Sequence, residues 1–443
     1  MKDLKELNNI YSKLIKENLK ENIASGEEAL RYINSSSARY RGRAIRTLFI
    51  PKLFTEKDIE IFQGLVDSLY GIFRKVIEEY YNNEEYRRLF GFSKELEELI
   101  LRRPLYDSLI PMARIDIFYN EEDKSFKFCE FNTDGSSAMN EDRELNIAIK
   151  KTKAYEDFSK EYSLTSFELF DSWVEEFIKI YDTYENKVEN PHIAIVDFIE
   201  KGNPSEFEVF AESFRKKGYT AEICEIRNLK YQEGRLISPS GKKIDAIYRR
   251  AVTTDIMANL QDIKPFIQAV KEEKVCLLGE FKTQLVHNKV LFKLLHQEET
   301  QKLLTEEERA FVKSHVPYTV DLRNADLTEA LSQKDQWIIK PEDSYGSKGV
   351  FAGVSYTQLE WEELVKEHRQ DSYILQEFHN PYRSINIDLF YNPEAKFEKY
   401  SNLTGLYVYN GKLKGVFSRA SEVEIISSQH GERTIPTVLV KEK

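Results

Sequence analysis

Two sets of charged residues, far apart in the chain, constrain the fold most strongly. The first is Arg114-Ile115-Asp116 followed by Glu130-Phe131-Asn132, and the second is centred on Lys340 and the glycines that follow it. The first set offers carboxylate and amide oxygens, which Mg²⁺ takes as ligands while it bridges substrate phosphates. The second offers an ammonium group and backbone N–H groups, which neutralise and orient a triphosphate. We therefore expect a fold that brings both sets around one triphosphate.

The first set lies in a segment that alternates apolar and polar residues on either side of a polar turn at 120–124, which predicts a β-hairpin. Alternation along a strand places three side chains on one face of the first strand, namely Arg114, Asp116 and Phe118. It likewise places three side chains together on the second strand, namely Phe128, Glu130 and Asn132. Both strands can then offer oxygens to one metal ion. A surface ion pair between Arg114 and Asp116 is the alternative interpretation.

The second set predicts a strand followed by a glycine turn. Residues 337–350 read Trp-Ile-Ile-Lys-Pro-Glu-Asp-Ser-Tyr-Gly-Ser-Lys-Gly-Val, with the lysine at 340. Glycines let backbone N–H groups approach phosphate oxygens closely. The spacing differs from that of the Walker P-loop, so this motif is not one. We predict that Lys340 and the turn contact the phosphates of ATP, the turn residues being Ser344, Tyr345, Gly346, Ser347, Lys348 and Gly349.

Three further segments complete the pattern. Asn288-Lys289 follows a segment that begins at Phe281, Gln376-Glu377 ends an apolar run, and Arg419 lies in a late segment, 416–421. With the two sets above, these segments resemble the ATP-grasp ligases over about residues 110 to 425. In most of that superfamily the lysine and the glycine loop precede the metal ligands. The reversed order here resembles the circularly permuted branch typified by glutathionylspermidine synthetase.

The resemblance implies a role for each matching residue. Lys289 and Lys340 would contact the α- and β-phosphates, and the strand that carries Gln376 and Glu377 would meet adenine. The catalytic residues would be Arg114, which meets the transferring phosphoryl group or the acyl-phosphate, and Arg419, which adds a late cationic contact. The early hairpin would hold one or two Mg²⁺ ions through Asp116, Glu130 and Asn132.

The same resemblance implies a carboxylate-amine ligase that uses ATP and Mg²⁺, forms an amide through an acyl-phosphate and releases ADP and phosphate. Two alternatives remain open: an ATP-binding scaffold protein without catalysis, and a small-molecule kinase on the same fold. Retention of all three metal-type ligands speaks against the scaffold.

The chain also departs from glutathionylspermidine synthetase. The bifunctional members of that family carry an amino-terminal thiol amidase, whereas the first cysteine here is Cys129. We therefore expect no amidase activity. The glycine turn also differs from the shorter Gly-Arg-x-Gly form of that synthetase. Glutathione with spermidine is one candidate pair of substrates, and an amino acid or peptide with another amine is a second.

The organisation of the chain predicts an α/β (α+β) protein with several parts, because 443 residues exceed what one hydrophobic core usually serves. Apolar residues at helical spacing over 3–35 and 55–82 predict an N-terminal helical region. Strand and helix signals from His192 onward predict a parallel sheet, and residues 155–186 look helical. We predict four parts: helical 1–105, metal-binding 106–190, an inserted α/β (pre-ATP-grasp-like) substrate domain 191–280, and a nucleotide-binding and lid part 281–443.

Two loops leave their function open. Residues 133–137 follow the early hairpin. They have two interpretations: a loop that frames the acyl acceptor site, or a simple Gly/Ser turn. Residues 197–203 follow a strand of the parallel sheet, where such sheets bind ligands. An ordinary loop in which Asn203 or Ser205 caps the next helix is the favoured interpretation, and substrate contact is the alternative.

Charge and cysteine content exclude several classes of protein. The net charge is -11, which argues against nucleic acid as a partner because binding to its phosphates requires a basic face. No apolar run approaches a membrane span. The three cysteines are scattered, which favours reduced thiols over a disulfide framework. We expect a cytoplasmic enzyme whose partners are a small-molecule carboxylate and an amine.

Overall fold

The computed structural model describes residues 2–40, 42–343, 348–427 and 431–443. It begins with helices, as expected for 3–35 and 55–82. The helices and short strands of this region are α1 (Leu4–Glu17), α2 (Leu19–Ser35), β1 (Arg39–Tyr40), β2 (Arg43–Ala44), β3 (Lys52–Phe54), α3 (Glu56–Asn82), α4 (Glu84–Arg88) and α5 (Lys94–Ile100). Capping boxes begin α1 at Asp3 and α3 at Thr55, because each side chain accepts a hydrogen bond from the third residue of the helix.

A six-stranded antiparallel sheet, here called the core sheet, joins the early hairpin to the end of the chain. Its strands are β4 (Met112–Tyr119), β5 (Phe126–Asn132), β17 (Arg383–Asn386), β18 (Glu398–Tyr409), β19 (Lys412–Ser421) and β20 (Arg433–Ile435). The order is β20-β19-β18-β4-β5, and β17 also pairs with β18. The dipeptide Asn410-Gly411 is a sequence signal for a two-residue hairpin turn. The turn between β18 and β19 confirms it, since both residues have positive φ, 47° and 80°.

The predicted hairpin is confirmed, with one correction to its faces. Asp116 pairs with Glu130, but the register then shifts, so that Ile117 pairs with Phe128 and Cys129 is an extra residue. Such a bulge reverses the alternation beyond it. Phe128 therefore does not share the face of Glu130 as predicted, and its ring packs in the core 5.2 Å from that of Phe131.

A four-stranded parallel sheet confirms the α/β expectation for the middle of the chain. Its order is β12-β11-β7-β8. The strands are β7 (His192–Asp197), β8 (Thr220–Glu225), β11 (Ala246–Arg249) and β12 (Cys276–Leu278). Around them lie α8 (Asp171–Tyr181), α9 (Pro204–Lys216), the hairpin β9 (Lys230–Gln232) and β10 (Arg235–Ile237), α10 (Thr253–Ala258) and α11 (Lys264–Lys271). Every residue of β7 is buried, as expected of a central parallel strand.

The expectation of helix throughout 155–186 is wrong in its middle. Helices α6 (Met139–Ile149) and α7 (Lys153–Glu161) are followed by strand β6 (Tyr162–Ser166). This strand pairs with β21 (Thr437–Glu442), which also pairs with β3. Residues 162–166 are Tyr-Ser-Leu-Thr-Ser, and their exposure alternates along the chain, which suits a strand with one covered face.

A second antiparallel sheet, here called the late sheet, has the order β13-β16-β14-β15. Its strands are β13 (Thr319–Asp321), β14 (Trp337–Pro341), β15 (Phe351–Ala352) and β16 (Tyr373–Glu377). The accompanying helices are α12 (Gln284–His287), α13 (Val290–Leu294), α14 (Glu298–Gln301), α15 (Glu306–His315), α16 (Leu327–Ser332) and α17 (Gln358–His368). The sequence also predicts strands at 349–354 and 385–391, and these are present only in part, as Phe351–Ala352 and as the end of β17.

The late sheet has its own apolar cluster, in which Trp361 and Val365 of α17 pack against Trp337, Ile339 and Leu375.

Within the described ranges of the chain, no helix combines the length and apolar character needed to cross a bilayer.

Trp361→Ala tests this cluster. Trp361 is fully buried and donates a hydrogen bond from Nε1 to the carbonyl of Ala330, 2.9 Å away. We expect the free energy of unfolding to fall by about 3 to 5 kcal/mol, as for other large buried aromatic residues. Leu359→Ala, on the exposed face of the same helix, is the control and should change it by less than about 0.5 kcal/mol. Chemical denaturation measures both, and equal effects would contradict the packing described.

Candidate functional site

The core sheet and the late sheet enclose a cleft of about 800 Å³. The early hairpin contributes Glu130 to its wall. The late part of the chain contributes the other charged and polar side chains predicted to bind nucleotide, namely Lys289, Lys340, Gln376, Glu377 and Arg419. Glu130 of the first set and Lys340 of the second thus line one cleft, whereas Arg114, Asp116 and Asn132 are not among its lining residues.

Behind Glu130, two arginines converge on one carboxylate. The Arg114 guanidinium donates from Nε and Nη2 to the two oxygens of Asp116, at 2.8 and 3.0 Å. Arg419 donates from Nη2 to Oδ2 of Asp116 at 2.8 Å. Arg419 lies on β19 and reaches Asp116 on β4 across the strand between them, β18. On β18, Gly405 is the residue that pairs with Asp116. A Cβ atom at Gly405 would lie only 2.9 Å from Oδ1 of Asp116, so the glycine makes room for the pair.

Glu130 carries the negative charge of the cleft. Burial by itself would raise its pKa, but Lys289, Arg419 and Arg114 outweigh burial and lower it to about 2. Its side chain is 33% exposed, and its Oε1 lies 4.0 Å from Nη2 of Arg114. Asn132 donates from its amide to the same oxygen at 3.1 Å. Glu130 is therefore ionised at any physiological pH and open to the cleft.

Two lysines form the opposite wall. Lys340 donates from Nζ to Oε1 of Gln376 at 2.8 Å, and Gln376 in turn donates to the hydroxyl of Thr319 at 2.9 Å. Burial lowers the pKa of Lys289, an effect that the charge of Glu130 opposes. The backbone N–H of Lys289 donates to the carbonyl of Glu342 at 3.0 Å, which ties this lysine to the strand that carries Lys340.

The glycine turn is described only in part. Ser344, Tyr345, Gly346 and Ser347, which were predicted to cover the phosphates, lie outside the described residues. Lys348 and Gly349 lie within them. Gly349 has a φ of +71°, and a Cβ atom there would lie 2.5 Å from the hydroxyl of Tyr373, so only glycine fits without rearrangement.

Sequence reasoning missed the apolar end of the cleft. Phe118 and Leu403 of the core sheet lie there with Ile338 and Val350 of the late part, and Ile426 adds to them. These side chains make a slot with apolar walls beside Gln376 and Glu377, which suits a flat aromatic base. Phe118, Ile338 and Leu403 lie on strands with consecutive buried residues, so no local signal distinguishes them from core residues.

Sequence reasoning also missed the contact between Gln284 and Asp343. Gln284 donates from Nε2 to Oδ2 of Asp343 at 2.9 Å. Asp343 follows Lys340 within the segment 337–350, but nothing in that segment alone identifies its partner.

The thiol of Cys129, on the bulge, also lines the cleft, and burial raises its pKa to about 12, which makes it a poor nucleophile.

The donors in the cleft fit a magnesium nucleotide in part. Mg²⁺ commonly uses one or two carboxylates together with substrate phosphates. Glu130 is ionised, faces the cleft and lies beside Asn132, so both fit. Among the described residues, no group of three His, Cys, Asp or Glu side chains is arranged to hold a metal by itself. The assignment of Asp116, Glu130 and Asn132 as a metal set stays a prediction.

The fold has counterparts among solved structures. The apo form of a glutathione synthetase-like effector from Globodera pallida matches with a TM-score of 0.63 and 11% identity, over 94% of this chain and 96% of that one. At this identity the likeness establishes a shared fold. A candidate gamma-glutamylcysteine synthetase from Methylobacillus flagellatus matches with a TM-score of 0.41 and 11% identity, over 87% and 89% of the two chains. D-cycloserine synthetase matches with a TM-score of 0.28 and 11% identity, over 57% of this chain and 92% of that one.

No protein-family model and no curated protein matches the sequence.

Gly405→Ala tests the close approach of β18 to the arginine pair. The added methyl group would meet Asp116 Oδ1 at 2.9 Å and Arg114 Cδ at 3.0 Å, so we expect a loss of about 1 to 3 kcal/mol in the free energy of unfolding. Gly64→Ala is the matched control. Gly64 lies within α3 with nothing within 4 Å of an added Cβ, so this change should stabilise the protein by up to about 1 kcal/mol. Stabilisation by both changes would contradict the geometry at Gly405.

Glu141, beside the arginines on α6, gives the folding stability a pH dependence. Burial and the nearby carboxylates of Glu206 and Glu432 raise its pKa to about 8 from 4.5, against Arg114 and Arg419. The folded chain therefore holds this proton more tightly than the unfolded chain, and the stability gained below pH 4.5 is lost as the pH rises through 8.

Glu141→Gln removes this titration. We expect the Tm of the variant, relative to that of the wild type, to rise steadily between about pH 5 and about pH 9. Differential scanning at several pH values measures this, with the exposed Glu27→Gln on α2 as the control. A Tm difference that stays constant with pH would show that Glu141 does not titrate as described.

Proposed function

We propose that the chain is an ATP- and Mg²⁺-dependent carboxylate-amine ligase of the circularly permuted ATP-grasp type. The observation that carries the proposal is the single cleft in which Glu130 faces Lys289 and Lys340. An anionic group that faces two ammonium groups beside an apolar slot suits a metal-bound nucleotide: the base in the slot, the phosphates between the lysines, and the metal on Glu130. The shared fold of the glutathione synthetase-like effector supports the ligase class.

The reaction has two steps. A carboxylate oxygen of the first substrate attacks the γ-phosphorus of ATP, and ADP leaves. The nitrogen of the amine then attacks the acyl carbon of the acyl-phosphate, phosphate leaves and the amine gives up a proton. Phosphoryl transfer of this kind depends mainly on positioning and charge neutralisation.

The residues of the cleft supply both. Lys289 and Lys340 bind the α- and β-phosphates, and Arg114 and Arg419 meet the charge on the transferring phosphoryl group. Gln376 orients Lys340 through the hydrogen bond described above. Glu130 and Asn132 would hold Mg²⁺, which would supply positive charge to neutralise the phosphates during the transfer. Glu377, at the end of β16, would lie beside the base.

Three further assignments belong to this proposal. The permuted order is supported by the pairing of the early hairpin with β18. This pairing joins the metal-type ligands, which come early in the chain, to the strands that come late in it. The division into four parts at 1–105, 106–190, 191–280 and 281–443 is part of the proposal; in its support, Arg249 of the parallel sheet forms an ion pair with Asp134 in the loop at 133–137. Glutathione with spermidine is one proposed pair of substrates, and an amino acid or peptide with another amine is the second, with the reaction in the cytoplasm.

Lys340→Ala tests the assignment. We expect kcat for ADP formation, measured with a panel of carboxylates and amines, to fall by on the order of 10² or more, because preorganised charge at the transferring group is lost. Lys366→Ala, on the exposed face of α17, is the control and should leave kcat unchanged.

Three results would contradict the ligase. Unchanged ADP formation in Lys340→Ala removes the lysine from the reaction. A stable phosphorylated product that forms without any amine indicates the kinase. Nucleotide binding without ADP formation for every substrate pair indicates the scaffold.

A further inference from the structure

The role of Asp116 differs from that of Glu130, although the two residues pair directly across the hairpin. Asp116 is fully buried, whereas the side chain of Glu130 is 33% exposed and lines the cleft. A metal ligand must present at least one free oxygen lone pair to the ion. The surroundings of Asp116 decide whether it has one.

Four N–H donors occupy the Asp116 carboxylate. Oδ1 accepts from Nε of Arg114 at 2.8 Å. Oδ2 accepts from Nη2 of Arg114 at 3.0 Å, from Nη2 of Arg419 at 2.8 Å and, more weakly, from Nδ2 of Asn132 at 3.4 Å. Oδ2 accepts three of these bonds and has no free lone pair, while Oδ1 accepts one; the whole side chain is buried and does not line the cleft, so neither oxygen is presented to an ion there.

The surrounding residues are shaped for the two guanidinium groups. Both guanidinium carbons lie over the ring of Phe417, at 5.5 Å for Arg114 and 5.9 Å for Arg419. Gly405 lies between Phe417 and Asp116 in the ladder and carries no side chain to separate them. The rest of the pair is also fixed, because Arg114 donates to the carbonyl of Ser137 at 3.0 Å and Arg419 to Glu432 at 3.3 Å.

The charges agree with this arrangement. Two guanidinium groups held side by side repel each other, and buried cations are costly unless an anion pairs with them. Asp116 lies between them and bonds to both. If Asp116 turned to a metal ion, both arginines would lose this partner at once.

We propose that Asp116 is a positioning residue, which clamps Arg114 and Arg419 side by side behind Glu130, and that it is not a ligand of the metal. The proposal rests on the proposed function in one respect, since the clamped guanidinium groups are those that meet the transferring phosphoryl group. It leaves Glu130 as the carboxylate that holds the metal, with Asn132 next to it.

The first test compares Asp116→Asn with Glu130→Gln. Titration of Mn²⁺ into the ADP complex, followed by electron paramagnetic resonance, gives the affinity for the metal. We expect Glu130→Gln to weaken Mn²⁺ binding by 10-fold or more and Asp116→Asn by less than about 3-fold, while both lower kcat, Asp116→Asn with little change in KM for Mg·ATP. Loss of Mn²⁺ affinity in Asp116→Asn as large as that in Glu130→Gln would overturn the proposal.

The second test uses the unaltered protein, in case Asp116→Asn does not fold. The Nε–H group of Arg114 should give a protected resonance in ¹⁵N-arginine spectra of the ligand-free protein, identified with Arg114→Lys. We expect this resonance to keep its protection when Mg²⁺ and ADP are added, because the clamp stays closed. Loss of the protection on adding the metal would mean that Asp116 has turned toward it, and the proposal would be wrong.

The two tests separate this inference from the ligase proposal. If the wild type binds neither ADP nor Mn²⁺, the proposed function fails. The ligand-free resonance still decides the clamp: protection of the Nε–H group supports it, and rapid exchange with solvent refutes it.

Discussion

The antiparallel pairing of β4 with β18 is the interaction on which the rest of the site depends. It joins a strand from the first third of the chain to one from its end, with Arg114 opposite Tyr407 and Asp116 opposite Gly405. The next strand, β19, then carries Arg419 to the same place. Without this pairing the acidic hairpin and the late arginine would belong to unrelated surfaces. The late sheet closes the cleft from the other side and brings Lys340 on β14, and Lys289 comes from the residue just before α13.

The second organising constraint is charge balance. Among the described residues, the buried cations near the cleft have anionic or polar partners: Arg114 and Arg419 share Asp116, Lys289 interacts with Glu130, and Lys340 bonds to Gln376. Burial would otherwise favour the neutral form of the lysines and leave the arginines as costly unpaired charges. Because the charges are already fixed by one another, a phosphate that enters the cleft meets oriented donors and needs little rearrangement of the protein. Such preorganisation is what makes charged side chains effective in catalysis.

Much of this arrangement could be predicted from sequence, because local signals were strong. A capping box at Thr357 marks the start of helix α17. The turn at Asn410 and Gly411 is explained by the ease with which Asn and Gly adopt positive φ. The bulge at Cys129 gave no such signal, since it depends on the register of the partner strand. The four hydrogen bonds of Asp116 were equally hidden, because one of the donors arrives from a strand far along the chain. The sequence predicts Asp116 as a metal ligand, and its bonds to both arginines are the observation behind the positioning role proposed for it.

A crystal structure of the protein with ADP and Mg²⁺ tests directly whether the early hairpin and the late lysines bind one nucleotide. We expect the base in the slot near Leu403, the β-phosphate within hydrogen-bonding distance of Lys289 and Lys340, and the metal in contact with Glu130. Nucleotide density elsewhere, with the lysines and Glu130 on different ligands or none, would contradict this expectation.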